Sequence, residues 1–264
     1  MLISKPSAPK STADVNRITV RSDRTPEADR RDDAAVHRRT AHARLRDQLV
    51  VALALVTGAT DAIAFVRLGG VFTSVMTGNM VLLGMGVGRG QVALLEHTGI
   101  ALAAFITGTV LGARIAGAPR SDDPVWPRRF TVALTMEFGI FLVASVGWWA
   151  AGSQPRGTVQ SVLLMADALA LGVQSSAVLR LNVSGLSTTY LTGTLTTLIQ
   201  SLTTNRRTAT DARSLSLLLA LVAGAALGAV LAVHHPAAAP LVALVILPAV
   251  VLTAWRAMEW RGRL

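Results

Sequence analysis

Cysteine is absent from the 264 residues, which excludes disulfide bonds, thiolate metal ligands and a cysteine nucleophile. Charged residues are also scarce, at 15% of the chain compared with about a quarter in soluble domains. A soluble domain of this length would need helices with polar faces, and the long apolar runs of this chain have none. These absences exclude a soluble enzyme and a soluble DNA-binding protein.

Hydrophobic residues make up 52% of the chain and are gathered into runs. Each run has about the length that a helix needs to cross roughly 30 Å of hydrocarbon. The runs must be helical, because lipid offers no partner to free backbone groups. The eight segments are approximately Leu49–Val66, Val71–Val87, Thr98–Ala116, Phe130–Ala151, Val159–Leu179, Leu186–Leu202, Ser214–Val233 and Ala237–Trp255.

The first 46 residues differ from the rest. Eleven of the 25 Lys and Arg residues precede Leu49, together with seven of the fifteen acids. A segment with so few large apolar groups cannot fold alone, so residues 1–46 are predicted to be a disordered cytoplasmic tail. The mixed charge argues against a nucleic-acid-binding arm, although the whole chain carries a net charge of +10. The membrane domain is predicted to span residues 47–264.

The second and sixth segments are rich in hydroxyl groups, as is typical of elements that face other helices or a cavity. If all eight segments cross, eight of the later arginines lie inside and six outside. If the second and sixth enter and leave on one side, eleven lie inside and three outside. The positive-inside rule therefore favours six crossings and two re-entrant or broken elements, with both chain ends in the cytoplasm.

The two halves of the domain resemble each other. Arg67-Leu68 recurs as Arg180-Leu181, and the stretch from Thr73 to Gly78 recurs as the stretch from Thr188 to Gly193. The pair Gly108 and Gly112 recurs as Gly224 and Gly228. We predict two repeats, about 49–151 and 159–257. Three crossings in each repeat would make them inverted, a frequent plan in transporters, whereas four would make them parallel.

Several polar residues in the apolar segments are candidates for solute binding. The two threonine–glycine turns either bind a solute or let helices pack closely. An acid within a span is a functional candidate by default, because its charge is costly there. The tentative substrate-binding set is Asp61, Thr77, Gly78, Asn79, Asp167, Thr192, Gly193 and Thr194. Asp61 can alternatively serve as counter-charge to an arginine, and Glu137 can pair with Arg128 or Arg129. The paired glycines Gly108, Gly112, Gly224 and Gly228 are interpreted as helix-packing sites.

Motifs for other chemistry are weak. The glycine-rich run that includes Gly84 and Gly88 lacks the spacing of a dinucleotide-binding loop. His234 and His235 are adjacent and do not share a helix face as paired metal ligands would. We expect no enzyme activity, no metal and no cofactor.

The stretch from Asp61 to Gly84 resembles the YoaK-like family of bacterial membrane proteins, whose function is unknown. Its family pattern falls on Asp61-Ala62, Leu68-Gly69-Gly70, Phe72 and Met76-Thr77-Gly78-Asn79. Val75 departs from it, since a polar residue is expected before Met76. The resemblance implies a location in the bacterial inner membrane and names no substrate.

These observations lead to two hypotheses. One is a transporter or exporter of a small solute, coupled to protons through Asp61 or Asp167. The alternative is a non-transporting membrane scaffold or partner subunit, in which the same residues serve packing. The expected partners are the lipid bilayer and an unknown small solute, a homo-oligomer is left open, and nucleic acid is not expected.

Overall fold

The described part of the chain is helical and contains no strand. A computed structural model describes residues 26–118, 124–181, 191–204 and 209–258. Within these ranges a short 3-10 helix, Pro236–Ala238, accompanies eight α-helices. The α-helices are α1 Pro26–Arg67, α2 Met76–Arg89, α3 Val92–Ala116, α4 Arg128–Ala150, α5 Gly157–Arg180, α6 Leu191–Thr203, α7 Ala209–His234 and α8 Leu241–Met258.

Six of these helices contain stretches that are long and apolar enough to cross a membrane. The remaining two, α2 with 14 residues and α6 with 13, are too short to cross roughly 30 Å of hydrocarbon. They correspond to the second and sixth predicted segments, so the prediction of six transmembrane helices and two further helical elements is confirmed. The spans are Thr40–Arg67, Val92–Ala116, Arg128–Ala150, Gly157–Arg180, Thr210–His234 and Pro236–Ala257.

The start of α1 differs from the prediction. The chain divides into two compact units, Met1–Ala43 and Arg44–Leu264. Helix α1 begins at Pro26, so the predicted disorder over residues 1–46 is wrong from Pro26 onward, while residues 1–25 lie outside the described part. The composition suggested disorder, because the many arginines of this segment are polar and its alanines are small. Both residue types are nevertheless strong helix formers. Proline suits the first helical position, where its missing amide hydrogen is not needed.

Contacts between helix ends show which spans run in the same direction. Near the starts of the apolar spans of α1 and α7, Arg213 Nη2 lies 2.6 Å from Asp47 Oδ2. At the ends of the same helices, Arg67 Nε donates to the carbonyl oxygen of Ala232 at 2.8 Å, so α1 and α7 are parallel. Near the start of α5, Gln160 Nε2 donates to the Arg67 carbonyl oxygen at 2.9 Å. Helix α5 is therefore antiparallel to α1.

Two further hydrogen bonds give the directions of α3, α4 and α8. Arg180, the last residue of α5, donates through Nη1 to the carbonyl oxygen of Ala118, just beyond α3, at 2.6 Å. Trp148, near the end of α4, donates through Nε1 to the Pro236 carbonyl oxygen before α8, at 2.8 Å. Helices α1, α4 and α7 therefore end on one side of the bundle, here called the α2 side. Helices α3, α5 and α8 end on the other, the α6 side, so α2 and α6 each connect two helix ends on one side.

Glycines bring α1 and α7 into backbone contact. A Cβ atom added at Gly58 of α1 would lie 2.1 Å from the Leu221 carbonyl oxygen of α7. One added at Gly224 of α7 would lie 2.0 Å from the Leu55 carbonyl oxygen of α1, and Gly228 approaches α1 in the same way. Only a residue without a side chain fits at these points.

A second glycine crossing joins α3 and α5. A Cβ atom added at Gly172 of α5 would lie 2.4 Å from the Phe105 carbonyl oxygen, and one at Gly108 of α3 would lie 2.1 Å from that of Leu169. Gly112 of α3 likewise lies against the backbone of α5. All four glycines to which the sequence assigned a packing role therefore lie at helix crossings.

Candidate functional site

The loop between α1 and α2 folds around the side chain of Asp61. This residue lies close to the end of α1 and is only 5% exposed. Its Oδ1 accepts hydrogen bonds from the Thr73 amide at 2.7 Å, the Thr73 hydroxyl at 2.9 Å and the Ser74 amide at 2.8 Å. The Ser74 hydroxyl donates to Oδ2. We call this arrangement the Asp61 clamp; its described partners belong to the loop and include no arginine.

Asn79 holds the same loop from the other end. Its side chain is fully buried, its Oδ1 accepts from the Phe72 amide at 2.9 Å, and its Nδ2 donates to the Phe72 carbonyl oxygen at 2.6 Å. Gly69 and Gly70 turn the loop with φ values of 107° and 73°, which favour glycine. A Cβ atom at Gly69 would also lie 2.6 Å from the His97 ring. The motif that carries the family resemblance therefore builds this loop.

The two threonine–glycine turns lie on opposite sides of the bundle. Thr77 is exposed on the first turn of α2, and a Cβ atom at Gly78 would lie 3.3 Å from a methyl group of Val75. Thr192 and Gly193 are exposed and Thr194 is half-buried at the start of α6. The structure therefore does not gather the predicted substrate-binding residues into one site. Thr188 and Thr189, which correspond to Thr73 and Ser74 in the sequence repeat, lie outside the described residues.

Asp167 occupies a different setting, in the wall of a cavity among α1, α4, α5 and α8. The cavity is small and partly open to the outside of the bundle. Asp167 lies near the midpoint of α5. No hydrogen bond or ion pair from a described residue reaches its carboxylate. The other polar and aromatic wall residues are Thr60 of α1 and Phe141, Ser145 and Trp148 of α4.

Glu137 lies on α4, about one turn before Phe141 of the cavity wall. It is fully buried, and neither carboxyl oxygen has a hydrogen-bond partner among the described residues. Gln174 Nε2 donates to the Thr57 hydroxyl at 2.7 Å, whereas its buried Oε1 has no described partner. Helices α4 and α5 are antiparallel, and Gly147 approaches Leu163 to 3.3 Å, which puts Glu137 and Gln174 at about the same depth. A protonated carboxyl group can donate the hydrogen bond that the glutamine oxygen lacks.

The pairing of Glu137 with Arg128 or Arg129 is not observed, because both carboxyl oxygens lack described partners. Both arginines lie more than two turns earlier on α4, at least about 12 Å along its axis. Sequence reasoning also missed Ser145 and Trp148 as cavity residues. A usable signal was present, since Glu137, Phe141, Ser145 and Trp148 recur at helical spacing on one face of α4.

Comparison with known proteins supplies a family and no activity. A family model described as "Protein of unknown function (DUF1275)" matches residues 49–253, which include the Asp61 clamp, Glu137 and Asp167. The UPF0700 transmembrane protein YoaK of Bacillus subtilis (strain 168) is 32% identical over 158 residues, covering 60% of this chain and 67% of that protein. No solved structure matches the chain.

Proposed function

Because the chain belongs to the DUF1275 family of proteins of unknown function, we propose a function from its geometry: this multi-pass membrane protein transports or exports a small solute. The cavity that holds Asp167 near the midpoint of α5 carries the proposal. A charged side chain at the centre of a membrane helix costs about 2.5–3.5 kcal/mol on insertion scales. No contact with a described residue offsets that cost for Asp167, which favours a role in binding over a role in packing.

The two glycine crossings support an internal duplication. Gly172 follows Gly58 by 114 positions, and Leu169 follows Leu55 by the same number. These two pairs provide the α1 contacts with α7 and the equivalent α5 contacts with α3. The same crossing is therefore built twice with different helices.

The two facing helices, α3 and α7, show a second constant offset in residue number. Gly224 follows Gly108 by 116 positions, and Leu221 follows Phe105 by the same number. The α1–α7 pair runs opposite to the α5–α3 pair, which supports the proposal that the two repeats are inverted. Inverted repeats with a solute site near the bilayer midplane are a recurrent transporter plan, and the position of Asp167 near the midpoint of α5 supports this proposal.

We further propose that Asp167 and Glu137, rather than Asp61, take up the protons of a coupled transport cycle. The clamp already employs both oxygens of Asp61 to hold the α1–α2 loop. A structural role in this loop, different from the arginine pairing foreseen from the sequence, therefore accounts for Asp61. Asp167 and Glu137 have no such described partners, and intramembrane acids of this kind form proton relays in pumps and transporters.

The inner membrane of a bacterium is the proposed location, with both chain ends in the cytoplasm. From Arg44 onward, eight described arginines lie near the α6 side of the bundle and three near the α2 side, which supports a cytoplasmic α6 side. The α6-side arginines are Arg44, Arg46, Arg114, Arg128, Arg129, Arg180, Arg213 and Arg256, and those of the α2 side are Arg67, Arg89 and Arg156.

Uptake by purified protein in liposomes with an imposed pH gradient tests the proposal. A panel of labelled small cations, anions and neutral solutes should include one that enters faster than in empty liposomes. Asp167→Asn should lower that uptake at least tenfold, because it removes the charge in the cavity. Glu96→Gln is the matched control, since Glu96 is an exposed acid at the start of α3. Transport of no solute, or equal uptake by Asp167→Asn and wild type, would instead favour a non-transporting scaffold.

A further inference from the structure

The side chains that line the Asp167 cavity carry charge of one sign only. Its described wall contains one carboxylate and no lysine, arginine or histidine. The wall is otherwise apolar, hydroxyl-bearing or aromatic. We propose that this cavity binds a small organic ammonium ion, an inference that rests on the proposed transport function and assigns its solute class.

Hydrogen bonds within the wall leave mainly acceptors facing the cavity. Ser145 donates its hydroxyl proton to the Phe141 carbonyl oxygen at 2.6 Å, so its oxygen remains available as an acceptor. Trp148 donates its indole proton to Pro236 at 2.8 Å, which leaves its ring surface for contact with a ligand. A cation is attracted to such a ring surface, best of all to that of tryptophan.

Other ligand classes fit these groups less well. An anion or a sugar requires donors from the protein, and the Thr60 hydroxyl is the one remaining side-chain donor in the described wall. A calcium ion takes six to eight oxygen ligands, far more than one carboxylate and two hydroxyls supply. The apolar side chains of Ile63, Leu163 and Val242 instead suit the alkyl groups of an organic cation.

The test is equilibrium binding to the full-length protein in detergent, with labelled tetramethylammonium and labelled methylammonium as probes. We expect saturable binding of at least one of them and none of labelled acetate. Asp167→Asn should weaken that binding at least tenfold, and the exposed control Glu96→Gln should leave it unchanged. Ala144→Leu, which fills the cavity from α4 and keeps the carboxylate, should weaken binding as well. A thermal unfolding curve for each variant separates loss of binding from loss of folding.

The inference and the transport proposal fail in different ways. If neither ammonium ion binds saturably, or if Asp167→Asn and Ala144→Leu both bind as wild type does, the ammonium inference is wrong. Uptake in liposomes of a different solute that requires Asp167 would then leave the transport proposal standing. Ammonium binding that needs Asp167, without uptake of any solute, would support the inference and overturn the transport proposal.

Discussion

At the scale of single residues, three acids in neighbouring spans have three different surroundings. Asp61 is surrounded by hydrogen-bond donors from its own loop. Asp167 faces a cavity without a described partner, and Glu137 is buried with both oxygens unpaired among the described residues. The same chemical group therefore serves loop structure in one place and is available for a solute or a proton in the others.

Asp61→Asn should destabilise the protein. The amide oxygen can still accept the three hydrogen bonds of Oδ1, but the amide nitrogen then faces the Ser74 hydroxyl, whose proton loses its acceptor. The remaining bonds also lose the carboxylate charge that strengthens them, so the expected cost is about 1–3 kcal/mol. Thermal unfolding in detergent measures the effect. Asp167→Asn is the matched control and should unfold close to wild type, because no described group donates to Asp167. Equal melting temperatures for the two variants would contradict the clamp.

Asn79→Asp tests the other end of the same loop. The carboxylate can still accept from the Phe72 amide, but it loses the donor that lies 2.6 Å from the Phe72 carbonyl oxygen. The expected loss is about 1–3 kcal/mol of stability. Thr77→Ala, at an exposed position two residues away, should unfold close to wild type. A loss in the Thr77 variant as large as that in the Asn79 variant would show that the loop hydrogen bonds contribute little.

The sequence identified all three acids as candidates, but it did not predict which groups surround each carboxyl group. The partners of Asp61 lie 12 and 13 positions along the chain, in a loop whose path depends on positive-φ glycines. The cavity around Asp167 is formed by four helices that are distant in sequence. Apolar periodicity predicts which residues lie in spans, whereas the grouping of side chains depends on which helices pack together.

At the scale of helices, glycines determine how closely the spans approach each other. The sequence predicted the spans well, because the length and apolarity of a single segment decide whether it can cross a membrane. It also identified Gly108, Gly112, Gly224 and Gly228 as packing sites. It did not identify Gly58 and Gly172, which complete the crossings. A single glycine in an apolar helix does not indicate a packing site unless the facing helix is known.

Gly108→Ala and Gly224→Ala should each destabilise the protein by about 1–3 kcal/mol, the usual cost of forcing atoms into a packed interior. The added Cβ atoms would lie 2.1 Å and 2.0 Å from backbone carbonyl oxygens of the facing helices. Gly99→Ala on α3 is the matched control, because no atom outside its own helix backbone lies within 4 Å of its added Cβ. Since alanine is the better helix former by up to about 1 kcal/mol, this control should be neutral or stabilising. Thermal unfolding that ranks the three variants otherwise would contradict the crossings.

At the scale of the whole molecule, helix direction links the fold to the proposed function. Two connecting elements that return to the side they came from leave three crossings in each half. The α1–α7 and α3–α5 glycine crossings run in opposite directions, as the proposed inverted repeats require. Such a pair of halves can expose a site at the midplane to each side in turn, which is what a transporter requires.

Single-cysteine labelling of intact cells tests this architecture most directly, and the cysteine-free sequence makes its background clean. Cysteines would be placed at the exposed positions Gln91, Ala118, Gln154, Thr204 and His235 and treated with a membrane-impermeant reagent. With six crossings, positions 91, 154 and 235 should react while 118 and 204 are protected. If positions 118 and 235 react while 91, 154 and 204 are protected, all eight segments cross the membrane, and the six-span, inverted account is contradicted.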